Sequence, residues 1–354
     1  MERAGVVSSG VSCFAFAVSL IWRAKKGSLG SVLLALIVCG LGTTGCPMAE
    51  PQTQSAPLEV TMAFQEAPYS GLIAVAKEKG FFQQAGIELK TVRYPSGLDS
   101  LKAMMRGEAQ IATVSDIALA SIMHEDPSLR VLAAIGASSG SQIVARKDRN
   151  IHEPKDLSNK RIAYSPGTSS TYYLHSFLLT HHIAPNEVTM VPVSVDRQVE
   201  VVTSGAVDAV AAFEVYAYVA QKKLGENAVA WDDQNTIDYQ WLLVTRDKLT
   251  QSPEAIKRLL KALIRAEDFV TSHVDESKAI IARQWEIDPE LLSHIWNRTR
   301  LFVSYNQSII MALQSYVKWQ SDQEGSTSPP LNVLPYTFPG ALEAVDPKLV
   351  TMFR

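Results

Sequence analysis

Two stretches of this chain spell the same unit. Residues 101–116 read LKAMMRGEAQIATVSD, and residues 199–214 read VEVVTSGAVDAVAAFE. Each has helical spacing up to a glycine, Gly107 or Gly205, then a polar step, then an apolar run ending in an acid, Asp116 or Glu214. Glycine just past a helix supplies the left-handed stop at least steric cost. A short apolar run without alternation reads as a strand buried on both faces. Upstream the match continues, with 89–94 followed by Ser96 and Gly97, and 188–193 followed by Ser194. A repeated helix–strand unit restricts the chain to two similar halves. From residue 58 onward, apolar β-prone and helical segments alternate (58–64, 69–82, 87–94), the rhythm of parallel α/β sheets.

A second pairing concerns how the halves connect. Residues 143–148 (IVARKD) and 243–248 (LVTRDK) are apolar strands that turn abruptly charged. One lies where the first half gives way to the second, the other where the second half ends. A chain that leaves one lobe, builds another and returns needs two crossings, and paired crossings make a hinge. The expected organisation is one lobe from 58–146 plus 247–354 and another from 147–246. After Pro253 the chain reads helical over 254–270, 275–285, 289–296 and 307–320. Pro253 and Pro289 suit first-turn positions. These helices are expected to buttress the first lobe.

The first 46 residues lie outside this pattern. Arg23, Lys25 and Lys26 precede an apolar run over 29–41, and small residues then lead to Cys46. These are the parts of a secretory signal, and the run is too short for the roughly 20 residues that cross a bilayer. The junction is similar to the lipobox of bacterial lipoproteins, in which Cys46 becomes the lipidated N-terminus, although Thr43 stands where Leu is usual. The other reading is a plain membrane anchor. A second apolar stretch over 11–22 reads as upstream sequence or as one arm of a helical hairpin. Residues 47–57 are expected to be a tether. Without residues 1–46 the chain keeps 29 basic and 35 acidic residues, a net charge of −6, which gives no reason to expect nucleic acid as a partner. The three cysteines, Cys13, Cys39 and Cys46, all lie in the leader. That leaves no cysteine nucleophile and no cysteine-ligated metal in the body.

Several motifs carry a family likeness. AKEKGFF over 76–82 with Gly86-Ile87, Arg106-Gly107-Glu108, Asp156-Leu157 with Lys160-Arg161-Ile162, the turn at 166–170 and SGAVDA over 204–209 occur in the order and spacing of one family. The chain resembles the substrate-binding proteins of ABC importers for nitrate, sulfonates, taurine and thiamine-pyrimidine precursors. The resemblance runs from about residue 58 to 320. It implies a two-lobed periplasmic-binding fold of type II with two crossing strands. It also implies a small molecule held in the cleft and, as partners, a membrane permease with its ATPase subunits.

Within that frame, the segment 165–171 (SPGTSST) joins a strand to a helix. A glycine turn feeding a helix presents backbone N–H groups, and adjacent hydroxyls add donors, which suits an anionic group. Gly167, Thr168, Ser169 and Ser170 are the candidates there, and helix capping alone is the bland reading. Glu214 is a candidate partner for an amine or ring N–H, or else an exposed strand end. From the first half come Ser96, Gly97, Ser115 and Asp116, with Gln65, Glu66 and Tyr69 after the first strand and Ser139 within the strand-end segment 138–141. Aromatic candidates are Tyr69, Tyr172, Phe213, Tyr216 and Trp241. His175, His181 and His182 share one helix without an acid at ligand spacing, so no metal is expected, and no dinucleotide or phosphate-loop motif points to a cofactor.

The expected role is capture of a small anionic or zwitterionic solute such as a sulfonate, taurine or nitrate. A heteroaromatic pyrimidine precursor stacked among tyrosines and Trp241 is the alternative. A ligand-sensing role would need an output partner. An enzyme of pyrimidine synthesis on this fold uses a cysteine-rich motif that the body lacks.

Overall fold

A computed structural model describes residues 56–232 and 238–353. The leader, Cys46 and residues 47–55 of the tether lie outside the described residues.

Among the described residues, twelve strands fall in two sheets. The first holds β1 (Leu58–Phe64), β2 (Ile87–Arg93), β3 (Ile111–Ser115), β4 (Leu129–Ser138), β10 (Tyr239–Arg246), β11 (Thr299–Asn306) and β12 (Val350–Thr351), in the order β12-β11-β4-β10-β3-β1-β2. The second holds β5 (Gln142–Arg146), β6 (Arg161–Tyr164), β7 (Thr189–Pro192), β8 (Ala209–Ala212) and β9 (Ala228–Trp231), in the order β7-β6-β8-β5-β9.

The repeat is visible in these orders. β2-β1-β3 and β7-β6-β8 are both parallel triplets, and an antiparallel strand follows each, β10 beside β3 and β5 beside β8. Gly107 and Gly205 both take left-handed backbone, with φ of +87° and +80°. The two acids open equivalent helices, Asp116 in α4 (Asp116–Ile122) and Glu214 in α7 (Glu214–Leu224). The other helices that place the site are α1 (Gly71–Glu78), α3 (Gly97–Met105), α5 (Ser169–Thr180) and α6 (Gln198–Thr203), with the short α2 (Phe81–Gln84) beside α1.

Period-two alternation explains why the second sheet is covered on both faces. Ile143, Ile162 and Ala209 join one core with Leu174 and Phe177 of α5, while Val144, Ala163 and Val210 join another with Val202 of α6 and Ala217 of α7.

The lobe boundaries differ from the expected ones. β5 was placed at the end of the first lobe, yet it pairs with β8 and β9 of the second sheet. β10 was placed at the end of the second lobe, yet it pairs with β3 and β4 of the first. The first crossing therefore precedes β5, at residues 139–141, and the chain is back in the first sheet by Tyr239. An apolar run that turns charged marks where a strand ends, but it does not say which sheet that strand joined.

The C-terminal segment completes the first lobe. α9 (Glu254–Ser272) buries Ile256, Leu259, Leu260, Leu263, Ala266 and Val270, a single helical stripe, against the first core. β11 occupies residues for which no element was expected. Between α11 (Pro289–Ile295) and α12 (Gln307–Gln323), TRLFVSYN adds to the sheet beside β4. All of this lies in one compact unit, Gln54–Arg354, and among the described residues no helix is long and apolar enough to cross a membrane.

Candidate ligand-binding site

The strand ends and helix starts of both lobes meet at a cavity of about 440 Å³. From the first lobe, Ser96 caps α3, its hydroxyl accepting from the Asp99 N–H at 3.1 Å and donating to the Asp99 carboxylate at 2.6 Å. Ser115 caps α4 through the Ala118 N–H at 3.3 Å. From the second lobe, Thr168 caps α5 through the Ser170 N–H at 3.2 Å. Glu214 stands in the first turn of α7. Four helix starts therefore converge, each carrying partial positive charge toward its N-terminus.

The turn before α5 is held rigidly. Thr168 and Thr171 hydroxyls both donate to the Ser165 carbonyl, at 2.7 and 2.9 Å. The Ser170 hydroxyl donates to the Ala211 carbonyl at 2.7 Å and accepts from the Ser165 N–H at 3.1 Å. Buried Gln198 donates to the Ser165 hydroxyl at 2.9 Å. Gly167, with φ +69°, makes the reversal, and its carbonyl accepts from the Ser121 hydroxyl of the other lobe at 3.1 Å.

The apolar wall is a pair of rings. Tyr69, ahead of α1, packs on Trp241 of β10 with centroids 4.3 Å apart. A Cβ at Gly97 would lie 2.7 Å from Trp241 Cη2, so this position must lack a side chain for the indole to reach the cavity wall. The Trp241 indole N–H is buried without a hydrogen-bond partner, a condition that costs about 1–3 kcal/mol unless an acceptor arrives.

Glu214 closes the opposite side. Its carboxylate accepts from the Ser138 hydroxyl on β4, across the lobes, and it lies over Gly140, where a Cβ would come within 1.8 Å of its Cγ. Burial pushes its pKa up, opposed by the Ser138 hydroxyl. Tyr239 completes the contact, its hydroxyl donating to the Ser169 carbonyl at 3.4 Å.

Of the sequence candidates, Gln65, Tyr69, Ser96, Gly97, Ser115, Thr168, Ser169, Phe213, Glu214 and Trp241 line this cavity, and Glu66 and Tyr216 line the space beside it. Asp116, Ser139, Gly167 and Ser170 serve its frame. Asp116 is fully buried and turns away, accepting from the Gln240 N–H at 3.1 Å and the Ile117 N–H at 2.8 Å. Burial pushes its carboxyl up to about 7. Ser139 sits at the crossing, its N–H donating to the Arg298 carbonyl at 3.2 Å. Gly167 and Ser170 shape the turn described above.

Leu98, Ala118 and Tyr239 also line the cavity and were not singled out. Tyr239 was legible, because it stands two residues before Trp241 on the same strand face. Tyr172 and His175 instead meet Trp319 of α12 edge-on, at 5.0 and 5.4 Å. Among the described residues no group of three or more acids, histidines or cysteines is placed to hold a metal.

Known proteins share this frame. Residues 67–277 match the family described as NMT1/THI5 like. A candidate aliphatic sulfonates-binding protein of Bacillus subtilis (strain 168) is 23% identical over 306 residues, covering 84% of this chain and 90% of that one. The taurine-binding periplasmic protein of Escherichia coli (strain K12) is 25% identical over 225 residues, 60% of this chain and 67% of that one. Among solved structures, the alkanesulfonate-binding protein SsuA from Xanthomonas axonopodis pv. citri, bound to MOPS, superposes with a TM-score of 0.69 at 16% identity, covering 80% of this chain and 99% of that one. The architecture is the two-lobed type II periplasmic-binding fold. With the match extending over more than half of its length, the chain belongs to the NMT1/THI5 like family.

Proposed function

We propose that this chain is the extracytoplasmic solute-binding protein of an ABC importer. It captures a small anionic or zwitterionic organic solute, of the sulfonate or taurine kind, and presents it to a permease and its ATPase subunits. The observation that carries this reading is the convergence of helix starts from both lobes on one cavity whose far wall is the Glu214 carboxylate. Backbone N–H groups at helix starts favour an anionic head, the orphan Trp241 N–H seeks an acceptor, and Glu214 favours an ammonium. Gln65, Tyr69, Ser96, Ser115, Thr168, Ser169, Glu214 and Trp241 are the proposed ligand contacts, with Gly97 making room and Asp116, Ser139, Gly167 and Ser170 holding the walls.

The magnitudes require several contacts at once. A helix terminus contributes about 0.3–1 kcal/mol to a bound anion, and a hydrogen bond to a charged group about 1.5–3. Micromolar affinity needs about −8 kcal/mol after an association cost of roughly 4 or more. No single contact reaches that, so contacts from both lobes act together and ligand favours the closed arrangement that joins them. A planar heteroaromatic ligand fits less well. Tyr69 and Trp241 pack on each other at a tilt of 47°, and neither offers an open slot for a third ring. The body also lacks the cysteine-rich motif of the pyrimidine-synthesis enzyme on this fold.

A thermal-shift screen of taurine, alkanesulfonates, nitrate and pyrimidines tests the ligand class, because a tight binder raises the melting temperature. Taurine or a short sulfonate is expected to give the largest shift, with a smaller radius of gyration in solution scattering. Stabilisation by pyrimidines alone would overturn the assignment.

A further inference from the structure

Glu214 lines more than the central cavity. A second cavity of about 710 Å³ lies behind it, walled by Gln142, Tyr218, Gln221, Lys222, His294 and Arg298, and Glu214 is the one residue common to both walls. A third, of about 570 Å³, opens on the side of Glu66, Arg93 and Tyr216 and also reaches Glu214. The side chain is fixed in this position from two directions. Ser138 holds the carboxylate from the first lobe, and Gly140 admits the Cγ where any Cβ would collide. It thus stands between a small central cavity and two larger spaces.

We infer that Glu214 is a partition that sets ligand length: while it rests on Gly140 and Ser138, the site accepts only short solutes, and its displacement joins the central cavity to the one behind. The space behind carries Ile295 and the Tyr218 ring beside Lys222, His294 and Arg298, so an alkyl tail entering it meets apolar surface as well as basic groups. Lys222 is held by Glu290 at 3.3 Å and Arg298 by Asp232, so these cations are already paired, and the back cavity accommodates a tail without competing for the anionic head.

This inference rests on the solute-binding reading, and its test separates the two. The full-length protein, purified in mild detergent, is titrated calorimetrically with methane-, ethane-, butane- and hexanesulfonate, in wild type and in Glu214→Gln, Glu214→Ala and Gly140→Ala. Wild type is expected to lose about tenfold or more in affinity from ethane- to hexanesulfonate, in keeping with what one or more methylenes contribute in a tight pocket. Glu214→Gln keeps the side-chain length and retains that fall. Glu214→Ala removes the partition, and Gly140→Ala dislodges it while keeping the carboxylate. Both are expected to bind hexanesulfonate about tenfold or more tighter than wild type does. Folded Glu214→Ala and Gly140→Ala proteins with the wild-type length profile overturn the inference. If wild type binds no sulfonate, the ligand class is wrong, and crystal structures of the two variants then decide the partition: a continuous cavity supports it and separate cavities overturn it.

Discussion

Asp116 and Glu214 occupy the same place in the repeated unit, yet they do different work. Asp116 faces inward and holds the Gln240 N–H of β10, whereas Glu214 faces the cavity. Their equivalence was legible in the sequence, but the direction of each was not. That direction depends on a strand that returns from more than a hundred residues away. With its carboxyl pushed up to about 7 by burial, Asp116 keeps its proton in the folded state at pH values where the unfolded chain has released it. Its contribution is therefore fully present below pH ~4 and is lost as pH rises through about 7, by up to about 4 kcal/mol. Asp116→Asn removes this titration. The melting temperature of wild type is expected to fall between pH 5 and 8 relative to the variant, each 1 kcal/mol moving it by about 2–4 °C. Parallel melting profiles across that range would show that Asp116 does not titrate there.

At the scale of elements, the site depends on how closely α3, β3 and β10 approach. Gly97 opens α3, and a Cβ there would meet Trp241 Cη2 at 2.7 Å and the Val114 Cα at 3.0 Å. The second neighbour is backbone, so a methyl group cannot be absorbed by a rotamer change alone. Gly97→Ala is expected to destabilise the protein by about 1–3 kcal/mol and to weaken ligand binding by displacing the indole. Urea unfolding and tryptophan fluorescence on ligand addition check both, and unchanged values in each would refute this packing argument. The parallel triplets were readable because their apolar runs and glycine stops are local signals. β11 escaped notice because TRLFVSYN mixes exposed and buried positions and stands between two strong helices. The edges of the lobes were misread for a related reason: pairing partners are a tertiary choice, and β5 and β10 each join the lobe on the far side of a crossing.

For the whole molecule, two lobes were legible from the duplication together with the paired crossings, and the family resemblance implied a ligand held in the cleft between them. The contacts across the cleft were not, since Ser121 to Gly167 and Ser138 to Glu214 join residues remote in sequence. Tethering is an expectation at this scale that rests on the sequence alone. The lipobox likeness implies lipidation at Cys46, and at least two acyl chains are needed to hold a protein stably on a bilayer. Cys46→Ala is expected to move the protein from the membrane to the soluble fraction of its cells, and unchanged fractionation would refute lipidation at this residue. The order of strands also constrains how the molecule is made. β10 runs between β3 and β4, so the middle of the first sheet is missing until residue 246 is available to pair. The second sheet, drawn wholly from residues 142–231, has all its strands by then. During biogenesis the later-encoded half can therefore reach its native pairing first, while the earlier one waits with an unfilled gap that calls for chaperone protection.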